Sequence, residues 1–277
     1  MNILHAAGWM HPDADGGSFR LVYEVARRQA ARGHQVHVVT SQVAASHALE
    51  QTLDGIRIHR YPTTAQSGVG LYRSTLRRVP ALIRSLQTEG GLDAMLLHHP
   101  IASFAASLAS SVRHVPRATM LYVPYLLEYT DRRSYDPRTG AEHPLGLRAR
   151  PIAQMLRWLD GRNLRRSDRI VVLSDFSRRL VAEHYPDCVR KVVHFPAGAD
   201  LDRFRAEPSR AEARAQLGLS GLGLPEGPPL LFTCRRLEHR MGIVELISAI
   251  GRLRDEGLRV SLLIAGRGAL AETLDRQ

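Results

Sequence analysis

Cysteine is nearly absent from this chain of 277 residues: only Cys188 and Cys234 are present. Two thiols make no disulfide framework, and neither lies in a Cys/His cluster with zinc spacing, so no metal site is expected. They read as buried or half-buried thiols of a reducing compartment. Long apolar runs are missing as well. No stretch approaches the roughly 20 residues that a membrane-spanning helix needs. The amino terminus, MNILHAAGW, has neither a basic n-region nor a long apolar h-region. These absences predict a cytoplasmic location. Aromatic residues make up 6% of the chain. None interleaves with a basic patch as a stacking platform does, so no nucleic-acid partner is expected. Lysine is reduced to Lys191 alone.

Arginine supplies nearly all the positive charge, and the net charge is +11. A single arginine in such a chain reads as a solvated surface residue. The sum favours anionic partners: nucleotide diphosphates, acidic lipid surfaces or nucleic acid.

Apolar runs alternate with helical patterns from the start. NILHAA, QVHVVT, GIRIHRY, DAMLLH, RATMLYV, DRIVVLS and KVVHF read as seven strands. Helical spacing intervenes over about 18–32, where Gly33 supplies a C′ glycine, over 72–88 with Pro80 kinking or restarting the helix, and over about 148–166. A further helix follows Ser174, an N-cap residue type. PYLLEYTDRRSYDPRTGAEHPLG reads as irregular. This alternation predicts an α/β fold: a doubly wound, Rossmann-like parallel sheet with helices on both faces. The Gly/Pro-dense GLSGLGLPEGPP marks a boundary. The expected organisation is a first domain over 1–217, a linker over 218–228, and a second Rossmann-like domain begun over 229–277.

Four pieces, in order along nearly the whole chain, carry a family resemblance. They are HPDADGG with its helix and RGHQVHVVTS, then DRIVVLSDFSRRLV, then HFPAGADLDRF, and finally RRLEHRMGIVELISAI with LLIAGRGAL. In this the chain resembles the retaining glycosyltransferases of family 4, which have the GT-B fold. The resemblance implies two Rossmann-like domains, a nucleotide-diphosphate sugar donor (UDP- or GDP-linked), an acceptor held on the N-terminal domain, and no metal or other cofactor.

The resemblance assigns Gly16 and Gly17 to the donor diphosphate. Glycine lets backbone N–H groups approach an anion, and a helix start adds positive potential; on spacing alone the pair is an ordinary strand-to-helix turn. Arg236 matches the family's Arg-Leu pair and Arg240 stands one residue before the usual lysine position, which here holds Met241. Both arginines are candidates for stabilising a diphosphate leaving group. Arg235 reads as structural. His98, ending its strand, matches a family histidine near the reacting sugar, with His99 beside it; the plain alternative is a satisfied core or surface histidine. Tyr125 and Glu128 match positions facing the acceptor, with a loop-anchoring ion pair as the alternative for Glu128. Gly198 belongs to the interdomain signature and lines the cleft, while Asp200 reads as a cap. Tyr72–Leu86, with Leu76, Val79, Ile83 and Leu86 among arginines, reads either as the cover of a Rossmann sheet or as a helix lying on an anionic membrane.

The family's second domain is about twice as long as the part present, and its E-x7-E element has no counterpart after Gly268. Three readings follow: a fragment, half of a split enzyme completed by a second chain, or a non-catalytic homologue that binds an acceptor or partner.

Overall fold

A computed structural model describes residues 1–63, 68–134, 141, 143–202, 204, 209–222, 224, 227–238 and 241–274. They fall into two compact units. The first comprises Met1–Asp131 and Gly146–Ala197, the second Arg132–Leu145 and Gly198–Gln277. Within the second unit, helix α7 (Arg210–Gln216) sits against the 3-10 turn Leu219–Leu222, in which Leu219 is buried.

The first unit is built on one sheet. Its strands are β1 (Asn2–Ala6), β2 (Gln35–Ser41), β3 (Glu50–Leu53), β4 (Ile56–Tyr61), β5 (Ala94–Leu97), β6 (Arg117–Leu121), β7 (Arg169–Val172) and β8 (Val192–His194). Their spatial order is β3-β4-β2-β1-β5-β6-β7-β8, all parallel except the β3–β4 pair. Strand β3 is missing from the sequence reading, although its signal is there. Asp54 and Gly55 both adopt positive φ, 49° and 78°, and join β3 to β4 with Leu53 opposite Ile56. An Asp-Gly pair of this kind is the two-residue hairpin turn whose twist suits antiparallel strands.

Helices cover both faces. Side chains alternate across a strand. Leu4 and Ala6 accordingly join a core with Val79 and Ile83 of α2 (Gly68–Gly90) and Ala105 of α3 (Pro100–Ala106). Val36 and Val38 join a second core with Val22 and Ala26 of α1 (Gly17–Ala31). Helix α1 ends as the sequence implies: the N–H of Gly33 (φ 84°) bonds to Ala30 O and that of His34 to Gln29 O, a Schellman closure. Helix α2 runs through Pro80 without restarting. Its Val79, Ile83 and Leu86 are buried in the sheet's cover, which leaves Leu76 and Val69 as the exposed large apolar residues beside a basic face. The membrane reading of this helix therefore lacks its apolar stripe.

The segment expected to be irregular begins with a helix, α4 (Tyr125–Arg133). Tertiary contacts explain it. Tyr125 and Tyr129, four residues apart, pack on Ile101, Leu156 and Leu159. The buried Asp160 of α5 (Arg150–Arg166) accepts the Leu126 N–H at 3.0 Å. Helix α6 (Asp175–His184) starts at Ser174, whose hydroxyl accepts the Ser177 N–H at 3.1 Å.

The second unit contains α7, β9 (Leu230–Cys234), α8 (Ile243–Asp255), β10 (Ser261–Ala265) and α9 (Ala271–Leu274). β9 and β10 pair in parallel in register Leu230 to Ser261. Cys188 is buried as expected, whereas Cys234 is exposed, because the two-stranded sheet does not cover it.

Candidate functional site

Ligands of parallel α/β sheets gather where the strands deliver their carboxyl ends. In the first unit those ends carry a cluster of rings. His98 follows β5 and is buried. Its Nε2 lies 3.0 Å from His5 Nδ1 and its Nδ1 lies 3.1 Å from the Tyr122 hydroxyl. His5 in turn reaches Gln29 Oε1 at 2.7 Å. The His5 and His98 rings stack with centroids 5.1 Å apart. Burial holds His98 well below the usual imidazole range, assisted by the neighbouring His5. Burial likewise pushes His5 down to about 4, against the opposing effect of Gln29. Both nitrogens of His98 are thus occupied within the protein and the imidazole is neutral near pH 7. For His98 to touch a sugar, one of these bonds has to break.

His99 takes the other side of the chain, as adjacent residues of an extended segment do. It is the residue before α3, with Pro100 at the first helical position. Its half-buried ring packs on the backbone of Gly8, where a Cβ would come 3.0 Å from it. Trp9 meets it edge-on at 5.4 Å and Tyr125 at 5.6 Å, and Phe19 lies 5.7 Å from Trp9. Burial pushes the His99 imidazole down to about 4. The tertiary fold therefore brings His98, His99 and Tyr125 together and adds His5, Gly8, Trp9, Phe19 and Tyr122, which the sequence reading did not single out. Trp9 was findable: it sits one residue past a glycine in the loop leaving β1. Glu128 lies on α4, three residues beyond Tyr125.

Gly16 caps α1 without any side-chain cap, and no acidic residue occupies the first turn. A Cβ at Gly16 would strike the Phe19 ring, while one at Gly17 would meet open space. The loop before the helix is anchored by a buried ion pair, Asp13 with Arg60 of β4, 2.9 Å between Oδ1 and Nη2. A cavity of about 310 Å³ elsewhere, lined by Arg113, Arg117, Arg166 and Asp168, opens at the amino ends of β6 and β7. It faces away from the strand ends where such sheets bind ligands.

In the second unit, the turns leaving β9 and β10 are fastened to each other. Arg235 N–H bonds to Ala265 O, Leu237 N–H to Arg267 O, and Leu270 N–H to Leu237 O. A Cβ at Gly266 would collide with the Arg235 carbonyl oxygen and one at Gly268 with that of Leu237, so both positions require glycine. Arg236 emerges from this clasp more than half exposed, 3.2 Å from Glu238. Arg235 folds back toward the Met241 sulfur at 3.3 Å. Met241 packs against the core of Leu237, Ile243 and Leu270, which accounts for an apolar residue at this position. Gly242, at φ 70°, is the N-cap of α8. Arg240 lies outside the described residues. Gly198 is exposed in the segment that follows β8. Among the described residues no group of three or more His, Cys, Asp or Glu could hold a metal ion, and no helix is long and apolar enough to cross a membrane.

A family model described as Glycosyltransferase Family 4 matches residues 15–203, and the chain belongs to that family. It is 25% identical over 264 residues to a D-inositol 3-phosphate glycosyltransferase of Nocardiopsis dassonvillei, covering 92% of this chain and 57% of that protein. The chain thus spans a little over half of that relative's length. A sucrose-phosphate synthase from Thermosynechococcus elongatus superposes with a TM-score of 0.69 at 16% identity, covering 95% of this chain and 61% of that one. An α,α-trehalose-phosphate synthase (UDP-forming) from Burkholderia vietnamiensis gives 0.59 at 16% identity, over 99% and 67%. Anabaena HepE in complex with UDP and glucose gives 0.52 at 14% identity, over 96% and 69%. These likenesses are of fold, and the fold is the α/β architecture of GT-B glycosyltransferases.

Proposed function

We propose that this member of glycosyltransferase family 4 works in the transfer of a sugar, with retention of configuration, from a UDP- or GDP-linked donor to an acceptor held on the first unit. The observation that carries this reading is Arg236. It stands at the carboxyl end of β9 with most of its guanidinium free of the core, on a turn that Gly266 and Gly268 fix in place. A cation held by a rigid turn stabilises a diphosphate more as charge accumulates on it in the transition state. Arg240 joins it in this role. In the first unit the uncapped start of α1, with open space at Gly17, suits a second anion contact. His99, Tyr125 and Glu128 face the acceptor, and His98 acts from beneath through Tyr122. No metal or other cofactor enters this reading. HepE was solved with UDP and glucose, which favours a UDP-linked donor for the first trials.

Calorimetric titration of the 277-residue chain with UDP-glucose and GDP-mannose tests it. Arg236→Ala is expected to weaken binding of the preferred donor about tenfold or more, since charge-assisted bonds carry about 1.5–3 kcal/mol. Unchanged affinity removes Arg236 from the donor site.

A second reading is favoured by the exposure of Leu231 and Phe232 on β9, 41% and 63%. Here the chain is a non-catalytic or split-enzyme subunit whose second unit is covered by another polypeptide. Tight donor binding by the isolated chain argues against it.

A further inference from the structure

The rings at the carboxyl edge of the first sheet have a chemistry of their own. Trp9, Phe19, His99 and Tyr125 form a contiguous half-exposed set, each ring centroid within 5.7 Å of the next. The set is built rather than incidental. Gly8 lets the His99 ring sit on the backbone, and Gly16 leaves room for Phe19; a Cβ at either would press into the ring. Beside it, His5 and His98 are buried and their imidazoles held below the usual range by burial, and His98 is hydrogen-bonded to the half-buried Tyr122. Of the cations on the flanking elements, Arg60 is buried and held by Asp13, while Arg20 touches His11 and shares the Glu24 carboxylate with Arg27 and Arg28. Aromatic faces attract flat, carbon-rich surfaces and leave peripheral hydroxyls free to hydrogen-bond. They offer little to a phosphate, which is held by guanidinium or ammonium groups or by backbone N–H groups.

We infer that the acceptor of this chain is a neutral molecule with a flat carbon-rich ring, a sugar or aryl-glycoside ring stacked on Trp9 and flanked by His99 and Tyr125, and not a phosphate ester. This rests on the glycosyltransferase reading and narrows it. It also separates this chain from the relative named for inositol 3-phosphate.

The chain has two tryptophans, Trp9 and Trp158. A Trp158→Phe variant of the full chain therefore makes Trp9 the sole reporter. The probes are methyl β-D-glucopyranoside, phenyl β-D-glucopyranoside and D-inositol 3-phosphate. The expected result is a saturable change of Trp9 emission with a neutral glucoside and at least tenfold weaker binding of the inositol phosphate. A clear preference for the phenyl over the methyl compound marks an aryl acceptor, and near-equal binding marks a sugar ring; both support the inference. Trp9→Ala, followed by calorimetry, should weaken glucoside binding at least tenfold, and Trp9→Phe should restore most of it. The inference is overturned if neither glucoside binds, if Trp9→Ala leaves binding unchanged, or if the inositol phosphate binds more tightly than either glucoside. Donor titration on the same variants keeps the two readings apart. Loss of glucoside binding with donor binding intact removes the acceptor assignment alone, whereas absence of donor binding counts against the glycosyltransferase reading.

Discussion

Strand β7, Arg-Ile-Val-Val, and strand β10, Ser-Leu-Leu-Ile-Ala, are similarly apolar and both are parallel, yet their surroundings differ. In β7, Ile170 and Val172 are fully buried between β6 and β8 and under α5 and α6. In β10 every residue is only partly covered, and its partner β9 exposes Leu231 and Phe232. The same local pattern makes a strand in both places. Burial comes from the number of layers and neighbours that assemble on it, and so does stability. The first unit holds its site on a closed core, whereas the second holds Arg236 on a backbone clasp.

The largest expected effect breaks the first unit from within. Asp13→Ala leaves the guanidinium of Arg60 buried without its counter-ion, which costs about 3–5 kcal/mol. Urea unfolding followed by near-UV dichroism measures it, and a loss below about 1 kcal/mol would falsify the pair's anchoring role. Next, Ile170→Ala should cost about 2–5 kcal/mol through lost burial and the cavity left behind. Leu263→Ala in β10 should cost less than half as much, because less of that side chain leaves water on folding. Equal losses would erase the contrast between the two strands.

Acid supplies a third comparison. His5 titrates at about 4 in the folded chain against an ordinary value of 6.5. Between those values the unfolded chain binds a proton that the folded one does not. Stability is therefore complete above about pH 6.5 and falls as pH drops toward 4, by up to about 3 kcal/mol for such an imidazole. Burial depresses His98 in the same direction, and His37 and His99 to about 4, and all three add to the loss. Hydrogen exchange should show the first unit loosening over this window while amides of β9 and β10 keep their protection. Uniform loosening of both units contradicts the assignment to these buried histidines of the first unit. The smallest effect lies at the helix start. Gly17→Ala meets open space and should shift stability by less than about 0.5 kcal/mol, while donor titration reports whether the added methyl obstructs an approaching diphosphate.

Much of the first unit was legible because its signals are local. Gly33 closes α1, Ser174 opens α6, and seven strand runs stand where they were expected. Strand β3 was legible too, through Asp54-Gly55, and was overlooked because Glu50–Leu53 has little apolar alternation. Helix α4 was not legible. Its tyrosines find their partners on α3 and α5, and its first turn is met by a carboxylate more than thirty residues later. Burial pushes that carboxyl, Asp160, up to about 6, against the hydrogen bonds it accepts. At the site, the sequence located His98, His99, Tyr125 and Arg236 at strand ends and turns. It did not show that His98 has both nitrogens occupied, or that Trp9 and Phe19 extend the ring cluster.

The sequence by itself determined seven of the first unit's strands, the helices α1, α2, α5 and α6, the Gly33 and Ser174 caps, and the family. Periodicity, φ preference and capping act over a few residues and need no distant partner. Only the tertiary structure decided which histidine is buried and which faces outward, and how deeply each apolar strand is covered. His5 and His98 are 93 residues apart in the chain and become neighbours through the pairing of β1 with β5. Their hydrogen bond, and the neutral rings built above it, exist because the sheet order places those two strand ends side by side.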